Sequence, residues 1–186
     1  MNSVLEQVKT FAAKAHGEQR RKFADEPYIA HPVRVMEICA TWSKDVAVLA
    51  AALLHDVLED TAVKKVELQN FLNGIMDAGK AQRTLLMVEE LTDRYVKASY
   101  PQWNRRKRKT KETERLEKTS AEAQTIKYAD IIDNSAEIAY QETDDFAIVF
   151  LKECQALLKK LDKGDPVLRQ RAVDTVQQGL AYLQRK

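Results

Sequence analysis

The run Val46-Ala47-Val48-Leu49-Ala50-Ala51-Ala52-Leu53-Leu54 carries no polar side chain and leads straight into His55-Asp56-Val57-Leu58-Glu59-Asp60. A helix that is apolar on every side has no face to give to water, so this segment is expected inside a helical core. Continued as one helix at about 100° per residue, positions 55, 59, 56 and 60 fall at roughly 0°, 40°, 100° and 140°. One imidazole and three carboxylates then project from one side. Burying them together is costly unless a cation or a dense hydrogen-bond network compensates. A divalent metal is the simplest compensation. The alternative is a helix that ends at Leu54, with its charges in water. Acidic groups at a helix C-terminus oppose the macrodipole, which weighs against that alternative.

Helix is favoured along the whole chain. Five glycines and four prolines are spread over 186 residues, 31% of which are charged, and no stretch alternates apolar and polar between turn signals. The expected fold is an all-α bundle of about eight or nine helices in a single domain over residues 1–186. Its catalytic core would span about 16–140, and helices over 143–186 would complete the bundle. The length is sufficient to bury a sizeable core.

A net charge of +2 is too near neutral to imply nucleic acid or a membrane surface by itself. Cys39 and Cys154 lie in apolar helical contexts without CxxC spacing and read as buried thiols of a reducing compartment. The N-terminus, from Met1 to Gln7, has no basic segment followed by an apolar one, so no signal peptide is expected. A nine-residue apolar run falls well short of the ~20 residues a membrane helix needs. The expected location is the cytoplasm.

Val4, Leu5, Val8, Phe11, Ala12 and Ala15 predict a first helix ending near His16-Gly17, followed by a polar loop with the basic cluster Arg20-Arg21-Lys22. His31-Pro32 opens a second helix, proline being favoured at a first helical position. After the apolar helix come segments around Val66–Leu72 and Leu85–Leu91. A polar stretch then runs from Arg94 to Lys118, and residues 104–118 hold eight Lys or Arg against three Glu. Ile126, Ala129, Ile132 and Ile138 predict a helix over 121–140, and another spans 146–161. Lys163-Gly164-Asp165-Pro166 combines a glycine stop, an aspartate cap and a proline start for the last helix.

Three places put polar groups where a helix needs a reason for them. His31 stands at a helix N-terminus, whose positive end disfavours imidazolium and keeps the ring neutral and able to ligate a metal. His55-Asp56 is the second. Asp130 is the third, sharing a face with Asn134 at i,i+4 spacing. Taken alone, each also fits an ordinary solvated side chain. Together they offer nitrogen and oxygen donors without a thiolate, a set suited to Mn²⁺, Fe²⁺ or a similar ion.

In this order, His31, His55-Asp56 and Asp130 resemble the H…HD…D pattern of the HD-domain metal-dependent phosphohydrolases. The resemblance narrows to RelA/SpoT-type alarmone hydrolases, particularly the small stand-alone ones. It is carried by His16–Lys22, Glu26–Pro32, Ala51–Thr61, Val88–Asp93 and Lys127–Asp130. It implies an all-α fold and Mn²⁺-dependent removal of the 3′-pyrophosphate from guanosine polyphosphates. Carried over, His31, His55, Asp56 and Asp130 are the ligands of one divalent ion per chain. Glu59 and Asp60 match the acidic pair that positions and deprotonates the attacking water; orientation of His55 is the other role open to them. Arg20 and Lys22 match the basic pair at the nucleotide pocket, where charge-assisted contacts hold phosphates. Asn134 matches a polar residue that contacts the substrate.

This chain departs from the pattern at Ile131, where relatives usually carry Lys or Arg, at Ser135-Ala136-Glu137-Ile138, and at Asp25-Glu26 in place of a glycine. These changes leave room for another phosphorylated nucleotide, such as NADPH or an adenosine polyphosphate. A nucleotide-binding regulatory module without turnover is the third reading, opposed by the complete set of ligands and acids. The basic segment 105–111 reads as a phosphate clamp by resemblance, or as a solvated helix laced with pairs such as Arg108–Glu112. Nucleic-acid contact ranks last, because Trp103 is its one interleaved aromatic.

Overall fold

A computed structural model describes residues 3–22, 24–141 and 145–185. Positions 143, 144 and 186 of the expected C-terminal helical segment lie outside the described residues, as do Met1 and Asn2 of the N-terminal reading. Every regular element among the described residues is a helix, as the all-α expectation required. The chain divides into two compact units, Met1–Thr92 and Asp93–Lys186.

The first unit holds α1 (Ser3–His16), α2 (Ala30–Cys39), α3 (Val46–Leu54), α4 (Val57–Asp60), α5 (Lys65–Ile75) and α6 (Ala78–Leu91). The apolar run is α3, and α1, α2 and α6 all lie against it. Residues Ala47 to Leu54 are all buried. Four of them are alanines, which let neighbouring backbones come close, while Leu53 and Leu54 fill the space between. Each such leucine contributes about 1.5–3 kcal/mol by leaving water. Asp45 caps α3 through Oδ1, which accepts from the Ala47 N–H at 2.8 Å. Its Oδ2 pairs with Arg83 of α6 at 2.9 Å, so one side chain both starts the helix and ties it to its neighbour.

α1 ends as expected at His16, with Gly17 at φ +56°, a left-handed conformation that glycine adopts without steric cost. The polar segment that follows folds back on itself. Arg20 and Pro27 form an antiparallel bridge, and the Arg21 N–H donates to Glu26 O at 3.1 Å. This turns the segment toward the start of α2.

The expected unbroken helix through Asp60 does not form. α3 stops at Leu54, His55 and Asp56 make a turn, and α4 starts again at Val57. The cause is local. His55 Nδ1 donates to Ala52 O at 2.8 Å, taking an acceptor that a continuous helix would offer to the Asp56 N–H. Asp56 relaxes to φ −97° and ψ −7°, and its carbonyl accepts from both Glu59 and Asp60. The four polar groups therefore do not share one helical face: His55 is buried, whereas Glu59 and Asp60 are exposed.

The second unit holds α7 (Arg105–Leu116), α8 (Ala121–Gln141), α9 (Asp145–Leu158) and α10 (Pro166–Leu183), with α8, α9 and α10 packed on one another. Asp165 caps α10 by accepting from the Leu168 N–H at 2.8 Å, and Pro166 occupies its first position, both as the sequence indicates. Gly164 is not the helix stop, because α9 has already ended at Leu158. Arg169 closes that end by donating to Leu158 O at 2.8 Å and Leu161 O at 2.7 Å.

The basic helix α7 is capped by Asn104, and most of its charges have partners. Arg105 pairs with Glu153, Lys109 with Asp93, Lys111 with Glu114 and Arg115 with Glu112. The structure thus gives Glu112 to Arg115 one turn on, where the sequence suggested Arg108. Glu112 is buried and also accepts the N–H groups of Arg94 and Tyr95 at 3.0 Å, fastening the preceding loop to the helix.

Cys39 and Cys154 are buried thiols, as expected. Burial pushes the Cys154 thiol up to about 12, so little thiolate exists at neutral pH to act as a nucleophile. Iodoacetamide at pH 8 should leave both cysteines of the folded protein unmodified over hours and alkylate both in denaturant. Rapid native-state labelling of Cys154, read by mass spectrometry, would contradict its burial.

Candidate metal centre

The turn between α3 and α4 and the first turn of α2 bring three donors into one corner of the first unit. His31 comes from α2, and its ring is 1% exposed. His55 and Asp56 come from the turn. One nitrogen from each imidazole and one oxygen from Asp56 lie within 4.8 Å of one another. Asp56 Oδ2 stands 3.1 Å from His55 Nε2 and 3.6 Å from His31 Nε2. The two rings meet edge to face, with centroids 5.1 Å apart.

The hydrogen bond from His55 Nδ1 to Ala52 O places a proton on Nδ1, so that in the neutral ring Nε2 carries the lone pair. In that form Nε2 faces a carboxylate oxygen 3.1 Å away, an arrangement of two electron-rich atoms that a cation resolves. Donors held about 2.1 Å from one octahedral ion at right angles stand about 3 Å apart, close to the 3.1 Å between Asp56 Oδ2 and His55 Nε2. The group can hold a divalent metal ion, and its N/O composition without sulfur suits a borderline ion.

Two further side chains meet this corner. The Tyr28 hydroxyl lies 2.7 Å from Asp56 Oδ2 and 2.7 Å from Asp60 Oδ2. Desolvation and the nearby charges of Asp56 and Asp60 raise the Tyr28 pKa, so it remains a protonated phenol. Partial burial of the Asp60 carboxyl raises its pKa, a shift opposed by the Tyr28 hydrogen bond. Glu59 is exposed on α4, one turn beyond His55. Arg20 and Lys22 are exposed on the folded-back segment, Arg20 in an ion pair with Asp25.

Asp130 and Asn134 belong to the second unit, on α8. Asp130 is buried; its Oδ2 pairs with Lys127 Nζ at 2.7 Å and its Oδ1 accepts from Asn134 Nδ2 at 2.6 Å. The i,i+4 partnership read from the sequence is therefore present. Ile131 and Ser135, two of the departures from the family pattern, are buried core residues here. Of the expected ligands, the structure gathers His31, His55 and Asp56 into one cluster within the first unit.

Sequence reasoning gave no role to Tyr28, His16 or Gln19, although all three sit in segments that carry the resemblance. No spacing rule points to Tyr28 or Gln19, because the loop between α1 and α2 has no period. Its fold-back is what delivers Tyr28 to the carboxylates.

The chain matches the HD domain family over residues 9–134, a stretch that contains all of these positions. The protein belongs to the HD domain family. Among curated relatives, it is 51% identical over 53 residues to a probable guanosine-3′,5′-bis(diphosphate) 3′-pyrophosphohydrolase of Synechocystis. It is 48% identical over 64 residues to the guanosine-3′,5′-bis(diphosphate) 3′-pyrophosphohydrolase of Vibrio cholerae. The matched stretches are 28% and 34% of this chain but only 7% and 9% of those proteins, which are far longer. A solved structure described as a metazoan ortholog of SpoT that hydrolyzes ppGpp superposes with a TM-score of 0.78 at 25% identity. That match covers 97% of this chain and 98% of the other. An all-α HD fold of the SpoT/RelA type is thus shared along nearly the whole length.

Proposed function

We propose that the chain is a metal-dependent hydrolase that removes the 3′-pyrophosphate from guanosine polyphosphates in the cytoplasm, using one Mn²⁺ per chain. The observation that carries this reading is the cluster of buried His31 and His55 with half-buried Asp56, set beside Asp60 in a chain that superposes over 97% of its length on a ppGpp-hydrolysing relative. Among the described residues no helix is long and apolar enough to cross a membrane.

In this reading His31, His55 and Asp56 would hold the ion, and the family resemblance assigns Asp130 as a further ligand. The chemistry such an ion supplies is Lewis acidity toward a phosphoryl oxygen and a lowered pKa for water. Arg20 and Lys22 bind the phosphates through charge-assisted contacts, and Asn134 orients the nucleotide. Glu59, exposed and one turn past a ligand, accepts the proton of the attacking water, with Asp60 holding that water in line. The water oxygen bonds to phosphorus as the bond to the ribose 3′ oxygen breaks; pyrophosphate leaves, and the 3′ oxygen takes up a proton from solvent to become the free hydroxyl.

A second reading, hydrolysis of another phosphorylated nucleotide such as NADPH or an adenosine polyphosphate, draws on the buried Ile131 at a position where relatives usually carry a cation. Purified protein with Mn²⁺ is expected to release pyrophosphate from ppGpp. Glu59→Gln should cut that turnover by about 10²–10⁴-fold while leaving Mn²⁺ affinity within a few-fold of wild type. Orthophosphate release from other nucleotides with no ppGpp turnover would favour the second reading. No turnover across a panel of phosphorylated purine nucleotides would leave a binding module.

A further inference from the structure

Resting on the metal-site reading above, we infer that Tyr28 is a positioning residue whose single hydroxyl holds the Asp56 oxygen that faces both histidines and the Asp60 carboxyl together. Asp56 Oδ2, the atom 3.1 Å from His55 Nε2 and 3.6 Å from His31 Nε2, is the atom that Tyr28 Oη reaches at 2.7 Å. The same phenol oxygen meets Asp60 Oδ2 at 2.7 Å. A carboxylate rotates easily about its last bond, so a ligand oxygen without an outer partner is poorly placed. Hydrogen bonds to ligating carboxylates supply that orientation. With one proton to give, the Tyr28 hydroxyl donates to the Asp56 oxygen at the cation corner or to the Asp60 oxygen at any moment and keeps the other in contact.

The phenol is itself held from several sides. Its ring stacks on the buried His16 ring, with centroids 4.4 Å apart and planes 23° from parallel. Arg21 lies over the ring at 5.6 Å. The Tyr28 N–H donates to Gln19 O at 2.9 Å, which fixes the backbone at this point. Gln19 also accepts from His16 Nδ1 at 2.9 Å and donates to Asp60 O at 2.8 Å. One glutamine thus ties together the tyrosine's backbone, the ring beneath it and the backbone of the second carboxylate. The end of α1, the folded-back segment and the end of α4 form a frame around the hydroxyl.

Tyr28→Phe isolates the claim, because phenylalanine keeps the ring, the stack on His16 and the backbone while removing only the bridging oxygen. Titration of the metal-free variant with Mn²⁺ alone, followed by calorimetry, should show affinity reduced by about 10–100-fold. The rise in Tm on adding Mn²⁺ should shrink accordingly, since stabilisation by a ligand tracks its affinity. With ppGpp, kcat should fall by about 10-fold or more while KM stays within about 3-fold, the phosphate-binding residues being untouched. A role confined to ring packing predicts no change in either quantity. Mn²⁺ affinity and kcat both within two-fold of wild type would overturn the inference. The metal titration and the Tm shift need no substrate, so they judge Tyr28 even if ppGpp is not turned over.

Discussion

His55→Ala should abolish the proposed ppGpp turnover and weaken the proposed Mn²⁺ binding by more than about 100-fold, since loss of a mere outer partner already costs 10–100-fold. Two effects combine in this variant. A donor nitrogen disappears from beside Asp56 Oδ2, and the hydrogen bond that ends α3 at Ala52 O goes with it. Without the imidazole, the Ala52 carbonyl is free to accept from the Asp56 N–H, and the turn that presents Asp56 has less reason to form. Because ions bind the folded protein, chelation with EDTA should lower the Tm of the wild type and leave that of His55→Ala nearly unchanged. Calorimetric titration with Mn²⁺ together with thermal unfolding, each with and without EDTA, provides the check. Wild-type Mn²⁺ affinity in His55→Ala would remove this residue from the ligand set.

Gly164→Ala should destabilise the protein by about 2–4 kcal/mol through overpacking and lost hydrogen bonds. A Cβ at this position would lie 2.5 Å from Tyr128 Cε2, 2.8 Å from Thr125 Oγ1 and 2.9 Å from the Thr125 backbone nitrogen. None of these neighbours yields cheaply. Tyr128 is fully buried, and the Thr125 nitrogen belongs to the backbone of α8. Relief requires the turn to lift from α8, which breaks the bonds from the Lys163 N–H to Gln124 Oε1 and from the Asp165 N–H to Thr125 Oγ1, each 2.9 Å. The glycine is needed here for close approach. Among the described glycines only Gly17 has positive φ. For a chain of this size the loss corresponds to a fall in Tm of roughly 5–12 °C. A Tm within about 2 °C of wild type would show that the turn accommodates the methyl group.

Much of the architecture is legible because local chemistry marks it. The Val46–Leu54 run announces its burial by having no polar face, and the structure places it against three other helices of its unit. Asp165-Pro166 marks the start of α10 through a cap and a fixed φ, both local properties. Gly17 marks the end of α1 for the same kind of reason. Gly164 misleads because glycine has two uses, conformational freedom and lack of bulk, and a sequence does not distinguish them. Glu112 misleads likewise: in a run of charged residues it looks solvated, yet it is buried and accepts two backbone N–H groups from the loop before the helix.

The candidate site divides along the same line. His31, His55 and Asp56 can be found from residue type and order, because few arrangements justify two histidines and a carboxylate beside an apolar core, and the family pattern names them. Their helical geometry could not be read, since a side chain of the chain's own, the His55 imidazole, interrupts the backbone ladder that the periodicity assumed. Tyr28 was invisible as a site residue because its partners lie 28 and 32 positions away and are reached by a loop without periodicity. The sequence by itself marked most of the helices, the cap of α10 and the buried segment, all of which follow from short-range chemistry, and its family resemblance offered His31, His55 and Asp56 as candidate ligands. Only the tertiary structure decided which oxygen faces which nitrogen, because hydrogen bonding between distant segments depends on how a loop folds back, and no local preference encodes that.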